Sequence, residues 1–252
     1  MNFLEYAMQY TNTFKPIRKQ RGVSLFVVIV LVMLSMLLAL WGSRTALFNE
    51  LIVGNDADYQ RAFEAAQALL QDAEFDIQGT RPDGTACQPG ASTDLCRAGT
   101  NVWYPVEDKE VFIELIPALE AATATKACIQ GICAKRTDKQ DFWNDKTTLD
   151  AMLPAGARYG QFTGADVGSG TSKASHPILK NTTAGQGGWY WVEVLPYDSS
   201  ASNSGLLSGG SGNLGLNLKP NVAYRITAIA RGLKANTQVV LQSTYARQKL
   251  KN

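Results

Sequence analysis

Histidine is nearly absent from the 252 residues of this chain. The one histidine, His176, precedes Pro177 in a polar stretch that predicts a loop, and a general base also needs a nucleophile and an orienting carboxylate. The sequence has no G-x-S-x-G, H-E-x-x-H or Walker A motif. Because these absences argue against catalysis, we expect no enzymatic activity, no cofactor and no small-molecule substrate.

Charged residues are also scarce, at 18% against 45% hydrophobic residues, which is the composition of a folded chain. The net charge is +2, but residues 1–22 hold four basic residues and only one acidic residue, so the rest of the chain is nearly neutral. A nearly neutral body lacks the basic stripe of a nucleic-acid-binding protein. We therefore expect no nucleic-acid partner.

No charged residue occurs between Gly22 and Ser43, and the apolar run Val23–Trp41 is long enough to cross a hydrocarbon core of roughly 30 Å. The basic cluster before it predicts that residues 1–22 stay in the cytoplasm and that the rest is exported. A cleaved secretory signal is the alternative. Its apolar region is shorter, about 7–15 residues, and ends in a small-x-small site, which 40–44 match poorly.

Proline is absent between Pro16 and Pro82, and apolar residues keep helical spacing beyond the predicted membrane span. The sequence therefore predicts one helix over about 24–78. The dipeptide Gly54-Asn55 is its weakest point, because both residues are poor helix formers. A local loosening there would let the helix bend.

A basic leader that ends in Gly22, followed by an apolar helix that continues as an amphipathic one, resembles the organisation of a type IV prepilin. More specifically, the chain is similar to the PilX family of minor pilins through motifs near both ends and in the centre. These motifs are Arg21-Gly22-Val23-Ser24-Leu25, Gly54-Asn55, Ala62-Phe63-Glu64-Ala65-Ala66, Asp72-Ala73-Glu74, Arg158-Tyr159-Gly160, Thr163-Gly164, Tyr224-Arg225-Ile226-Thr227-Ala228 and Val240-Leu241-Gln242-Ser243-Thr244-Tyr245.

The resemblance implies cleavage after Gly22 by prepilin peptidase and N-methylation of Val23. It implies a single-pass inner-membrane protein with a periplasmic C-terminal domain, which moves to the pilus tip on assembly. The implied partners are other minor pilins, the major pilin and the pilus assembly platform, and the implied roles are pilus biogenesis, twitching motility and adhesion. Two alternatives remain: a minor pseudopilin of a type II secretion system, and a periplasmic hydrolase that would depend on His176 or on a site without histidine.

Val27 departs from the general pilin pattern. It stands fifth after the cleavage point, where the resemblance implies a Glu that meets the N-terminal ammonium of a neighbouring subunit inside an apolar filament core. An unpaired charge in such a core is costly, so that ion pair would favour adding a subunit behind an existing one. A subunit with Val27 has no carboxylate to offer there. This fits a position at or near the filament tip. The alternative is that Val27 only keeps a membrane anchor apolar.

After Gly79, short apolar runs separated by turn residues predict strands over 189–195, 223–231 and 237–247, the last two joined by a turn at 232–236. We expect an α+β, pilin-like fold in which the long helix packs on an antiparallel sheet with one apolar face. The expected divisions are a cytoplasmic prepilin leader (1–22), a transmembrane half-helix (23–44), a periplasmic amphipathic half-helix (45–78) and a β-rich head (79–252).

Several assignments in the head stay open. Residues 106–122 fit either a helix or a strand that contains Val111, Ile113 and Leu115, and the Gly/Ser-rich run 199–213 is a surface loop or a binding loop. Trp189, Trp191 and Glu193 share one strand face, which predicts core or a protein interface for the tryptophans and a structural role for the acid.

The four cysteines, Cys87, Cys96, Cys128 and Cys133, predict two disulfides in an exported domain. The local pairs 87–96 and 128–133 are favoured, and the pairs 96–128 with 87–133 remain open. A zinc site would use the same thiols, but their spacing lacks the usual C-x2-C pairs. Calcium near Asp138, Asp141 and Asp145 is a further alternative to a solvated acidic surface, and we expect no metal.

Overall fold

The computed structural model describes residues 23–88, 94–98, 104, 109–122, 127–137, 139–168, 175–196 and 218–248. The leader with Gly22, the residue Asp138 and the run 199–213 lie outside the described residues. The chain divides into two compact units, Met1–Val53 and Gly54–Asn252.

Helix α1 spans Val23–Gln78 and confirms the predicted long helix. It stays helical through Gly54 and Asn55, the dipeptide identified as its weakest point. Within the described residues, α1 is the one helix long and apolar enough to span a membrane. Every residue from Val23 to Val53 is exposed, whereas the part of α1 in the second unit has a buried face.

A five-stranded sheet follows in the second unit, with strands in the order β1-β2-β3-β4-β5. The strands are β1 (Cys128–Ile129), β2 (Ile132–Ala134), β3 (Gly188–Pro196), β4 (Leu218–Arg231) and β5 (Gln238–Gln248). The predicted strands 189–195 and 223–231 lie within β3 and β4, and the predicted strand 237–247 matches β5 to within one residue at each end. Strands β4 and β5 form the predicted antiparallel hairpin. The sheet departs from the expected antiparallel pattern at β2 and β3, which pair in parallel because a long crossover separates them.

One face of the sheet packs on the second-unit part of α1. The alanines Ala62, Ala65, Ala66 and Ala73 are fully buried, and their small side chains let the helix approach the strands closely. The β4 residues predicted to share a face all enter this core, which contains Tyr224, Ile226, Ala228 and Ala230.

The opposite face is apolar too, which corrects the expectation of a sheet with one apolar face. Helix α3 (Lys146–Met152) and the turns beside it cover Trp189, Trp191 and Ile229 in a second core. These covering elements are too short to show a period in the sequence, so the pattern of the strands alone left this layer unrecognised.

Helix α2 (Lys109–Ala121) decides between the two assignments of residues 106–122 in favour of a helix. Leu115 and Leu119 are both buried, as expected for residues four apart on one helix face. The strand through Val111, Ile113 and Leu115 is therefore wrong.

Candidate subunit interface and the acidic contacts that support it

The exposed part of α1 carries more apolar surface than a membrane crossing needs. Beyond Trp41, the large side chains of Leu47, Phe48, Leu51, Ile52 and Val53 are each more than half exposed. A contiguous apolar surface of this kind marks a site that contacts lipid or another protein. This surface is the candidate subunit interface.

Val27 lies nearer the start of the exposed part of α1 and is 47% exposed. The first acidic residue after Gly22 is Glu50, so no carboxylate stands near Val27 along the apolar helix. A neighbouring chain that offered an ammonium group at this level would find no anion on this segment.

Three buried aspartates attach the second-unit part of α1 to the head. The first, Asp58, is 1% exposed, and its two carboxylate oxygens accept the backbone N–H groups of Leu233 (2.9 Å) and Lys234 (3.0 Å). Burial raises the pKa of Asp58, but these hydrogen bonds outweigh it and the net pKa is lowered. The turn between β4 and β5 is thus held on α1, and Lys234 Nζ adds a bond to Asn55 Oδ1 (2.9 Å).

The second aspartate, Asp72, binds the central motif that the sequence singled out. Its carboxylate accepts the N–H of Gly160 (2.7 Å) and the hydroxyl of Thr163. Gly160 has φ +70, and a Cβ there would lie 2.1 Å from the carbonyl oxygen of Ala165, so this turn requires glycine. Burial raises the pKa of Asp72 to about 6.

The third aspartate, Asp76, forms a buried ion pair with Arg97. Its carboxylate accepts Nε (2.9 Å) and Nη2 (2.6 Å) of Arg97 and the hydroxyl of Tyr190 (2.9 Å). Arg97 is 4% exposed, lies 3.8 Å from the ring centroid of Phe162 and donates to the carbonyl oxygen of Gln130 (3.2 Å). Burial lowers the pKa of Arg97, but the attraction of Asp76 outweighs it and the net pKa is raised.

The cysteines form the two local disulfides that the sequence favoured, Cys87–Cys96 and Cys128–Cys133. The crossed pairing and the zinc alternative are therefore wrong for this structure, because all four thiols are consumed in separate bonds. Cys96 directly precedes Arg97, so the first disulfide closes the segment that carries the buried cation. The second lies in the apolar layer around Trp191.

The acids proposed as an alternative calcium site serve local structure. Asp145 caps α3 by accepting the N–H of Thr148 (2.6 Å), and Asp141 accepts the side-chain amide of Asn144 (2.9 Å). The described part of the chain contains no group of three or more potential metal-ligating side chains.

The remaining predicted residues lie in structural contacts. Nδ1 of His176 accepts the N–H of Leu179 (3.4 Å) within a turn. Trp189 and Trp191 are core residues. The carboxylate of Glu193, also buried, accepts Nε of Arg225 (2.6 Å) and the backbone N–H of Arg136 (2.9 Å).

Sequence reasoning missed the roles of Asp58, Asp72, Asp76 and Arg97. A usable signal existed, because the three acids fall on the same helical stripe as the buried alanines Ala62 and Ala73. An acid within an apolar stripe must find donors when that stripe is buried.

The raised pKa of Asp72 gives a testable pH dependence. Its folded-state pKa of about 6 exceeds the ordinary 3.8, so its contribution to stability is fully present below 3.8 and is lost as the pH rises through about 6. The shift corresponds to about 3 kcal/mol. As the pH rises from about 4 to about 7, we expect the free energy of unfolding to fall less for Asp72→Asn than for the parent chain. Urea unfolding at a series of pH values measures this difference.

The lowered pKa of His176, caused mainly by its burial, acts in the opposite direction below 6.5. This effect of His176 on stability is the same in Asp72→Asn and in the parent chain, so it cancels when their free energies of unfolding are compared. Parallel pH profiles for Asp72→Asn and the parent would contradict the assignment.

The comparisons with known families agree with this architecture. The PilX N-terminal model matches residues 21–71, which include the apolar helix and the contact of Asp58. The model of the C-terminal region of type IV pilus assembly protein PilX matches residues 129–247, which include most of the sheet. No curated protein and no solved structure gives a significant match. The two family models together cover well over half of the chain, so the chain belongs to the PilX family of type IV pilus assembly proteins.

Proposed function

We propose that the chain is a minor pilin that primes assembly of type IV pili and remains at or near the tip. The observation that carries the proposal is Val27, together with the absence of any acidic residue between Gly22 and Glu50. An apolar filament core favours a neighbour that neutralises each buried ammonium group. This chain offers its own ammonium to a neighbour but returns no carboxylate, so the contact works in one direction only.

A one-directional subunit suits the start of a filament. In the shaft, every subunit both receives and supplies the ion pair, whereas a first subunit has to make only one of these contacts. The exposed apolar surface from Leu47 to Val53 then serves as contact area for the neighbours that follow.

The processing and location follow from the same pathway. Prepilin peptidase removes residues 1–22, Val23 becomes the N-methylated first residue, and the basic leader keeps that end in the cytoplasm while the head lies in the periplasm. The partners are other minor pilins, the major pilin and the assembly platform. The role is structural and supports pilus biogenesis, twitching motility and adhesion. The match to pilus-assembly models supports this function over the pseudopilin alternative.

The test is to give the chain the missing acid. We expect a tagged Val27→Glu variant to appear along pilus shafts, whereas the tagged parent chain appears at pilus ends, because the new carboxylate lets the subunit accept an ammonium. Immunogold labelling of sheared pili measures the distribution. Val27→Gln, with similar size and no charge, is the matched control and should keep the parent's distribution.

The mature N terminus, measured by mass spectrometry, shows whether these variants enter the pathway. A chain that begins at N-methylated Val23 only in cells with prepilin peptidase is expected. An intact leader in both strains, or parent chain distributed evenly along shafts, would overturn the proposal.

A further inference from the structure

Strand β5 is one edge of the sheet, and β4 is its only strand neighbour in the described chain. On β4, the N–H of Arg231 donates to Gly187 on the β3 side, so the residues of β4 alternate between facing β3 and facing β5. Ala230 therefore faces β5, where it pairs with Val239, and from Val239 onward every second residue of β5 forms its backbone hydrogen bonds with β4. The N–H and C=O groups of the residues between them point away from the sheet. These residues are Val240, Gln242 and Thr244.

From Gln238 to Ala246, the edge lacks the features that natural proteins use to block strand pairing. Residues 238–246 contain no charge, no proline and no glycine. Their register with β4 runs without a bulge from Gln238 to Ala246. Edge strands that stay free are usually short, charged, bulged or interrupted by proline. The side chains of Gln242 and Thr244 are exposed, and among the described residues no backbone hydrogen bond from outside the sheet reaches the outward groups of β5.

We propose that β5 accepts an extended strand from another pilus subunit. The outward row of N–H and C=O groups determines the chemistry of the occupant, because only an extended backbone supplies donors and acceptors at the same repeat. The partly buried Leu241 and Tyr245 lie at the margin of the core beneath α1, and Val240 lies at the margin of the other core. The occupant is therefore an uncharged segment with apolar residues at alternate positions.

The inference rests on the proposed function for the identity of the partner and goes beyond it by naming the surface. Both sheet faces are already covered by this chain's own residues, whereas Leu241 and Tyr245 of β5 lie at the margin of the core beneath α1. An added strand with apolar residues at alternate positions would extend that apolar layer, in addition to forming backbone hydrogen bonds.

Site-specific photocrosslinking in whole cells of the native host tests the proposal. A benzophenone amino acid is placed at Gln242 or, as a control, at the exposed Lys180 of the full-length chain. We expect Gln242 to give a discrete product whose second peptide, identified by mass spectrometry, comes from another pilus subunit, with a yield at least about 10-fold above that of Lys180. A product with this chain's own residues 197–217, or no product, would overturn the proposal.

A pair of proline substitutions separates pairing at the edge from folding. Thr244→Pro removes an outward N–H and should leave the thermal midpoint close to that of the parent, while it abolishes the crosslink from Gln242. Ser243→Pro removes an N–H that faces β4 and should unfold the head. If Thr244→Pro fails to fold, Thr244→Lys takes its place, because it adds a charge to the edge and should also abolish the crosslink from Gln242. A folded Thr244 variant that keeps the full crosslink yield would contradict the proposal.

The two proposals fail in distinguishable ways. If the chain is missing from sheared pili, the proposed function fails, whereas the crosslink in whole cells still reports on the edge. If the chain is present in pili and Gln242 gives no product with another subunit, the edge proposal alone fails.

Discussion

Replacing Arg97 by methionine is expected to destabilise the head by about 3–5 kcal/mol, because it leaves the buried carboxylate of Asp76 without its cation. Asp76 retains the hydroxyl of Tyr190 as a donor, but a neutral donor does not balance a full charge at a site that is 8% exposed. Methionine keeps much of the packing volume over Phe162, so the loss reports mainly on charge.

Urea unfolding of the full chain in detergent, followed by tryptophan fluorescence, measures the effect. The double variant Asp76→Asn with Arg97→Met should recover part of the loss, since no charge then remains buried. The matched control is Lys146→Met, which breaks the exposed pair with Asp150 and should barely move the midpoint. A loss no larger than that of the control would show that the buried pair does not hold α1 to the head.

The long helix and the last hairpin could be predicted because their signals are local. An uninterrupted helical period from Val23 to Gln78 needs no tertiary information, and alternation on both sides of the turn at 232–236 sets the pairing of β4 with β5. The same turn shows the limit of local reasoning. Its residues look like an ordinary hairpin loop, and only the fold reveals that Asp58 accepts two of its N–H groups.

The partners of the buried acids could not be predicted, for a related reason. Gly160 and Arg97 lie far along the chain from Asp72 and Asp76, so the local pattern of the helix does not identify them. The contact between Asp72 and Gly160 does join two motifs that the family resemblance had already singled out. The resemblance therefore pointed to the correct residues without giving their role.

The second apolar layer was missed because its parts are small. Helix α3 has seven residues, fewer than a hydrophobic period needs to become visible, and the tryptophans of β3 suited a core or an interface equally well. The parallel pairing of β2 with β3 was hidden by the three-residue length of β2. Processing at Gly22 and the role of Val27 stay predictions.

Trp191→Ala is expected to cost about 3–5 kcal/mol, because it opens a cavity in the layer that covers the second face of the sheet. Trp191 is 1% exposed, and its Nε1–H donates to the carbonyl oxygen of Met152 (3.1 Å). Its ring contacts Phe142 edge-on, with centroids 5.3 Å apart. A Cβ at Gly156 would lie 2.9 Å from that ring, so the site is already tightly filled.

Trp143→Ala is the matched control, since this partly buried tryptophan packs on the margin of the same layer and should cost clearly less. Trp191→Phe keeps an aromatic ring but leaves the carbonyl of Met152 without its donor, so an intermediate loss of about 1–3 kcal/mol is expected. Urea unfolding of the three variants gives the order. Equal losses for Trp143→Ala and Trp191→Ala would mean that the layer under α3 is a loosely attached cover. If the losses follow the predicted order, this layer is firmly packed. Together with the aspartate contacts of α1, it then belongs to the framework that positions the β5 edge.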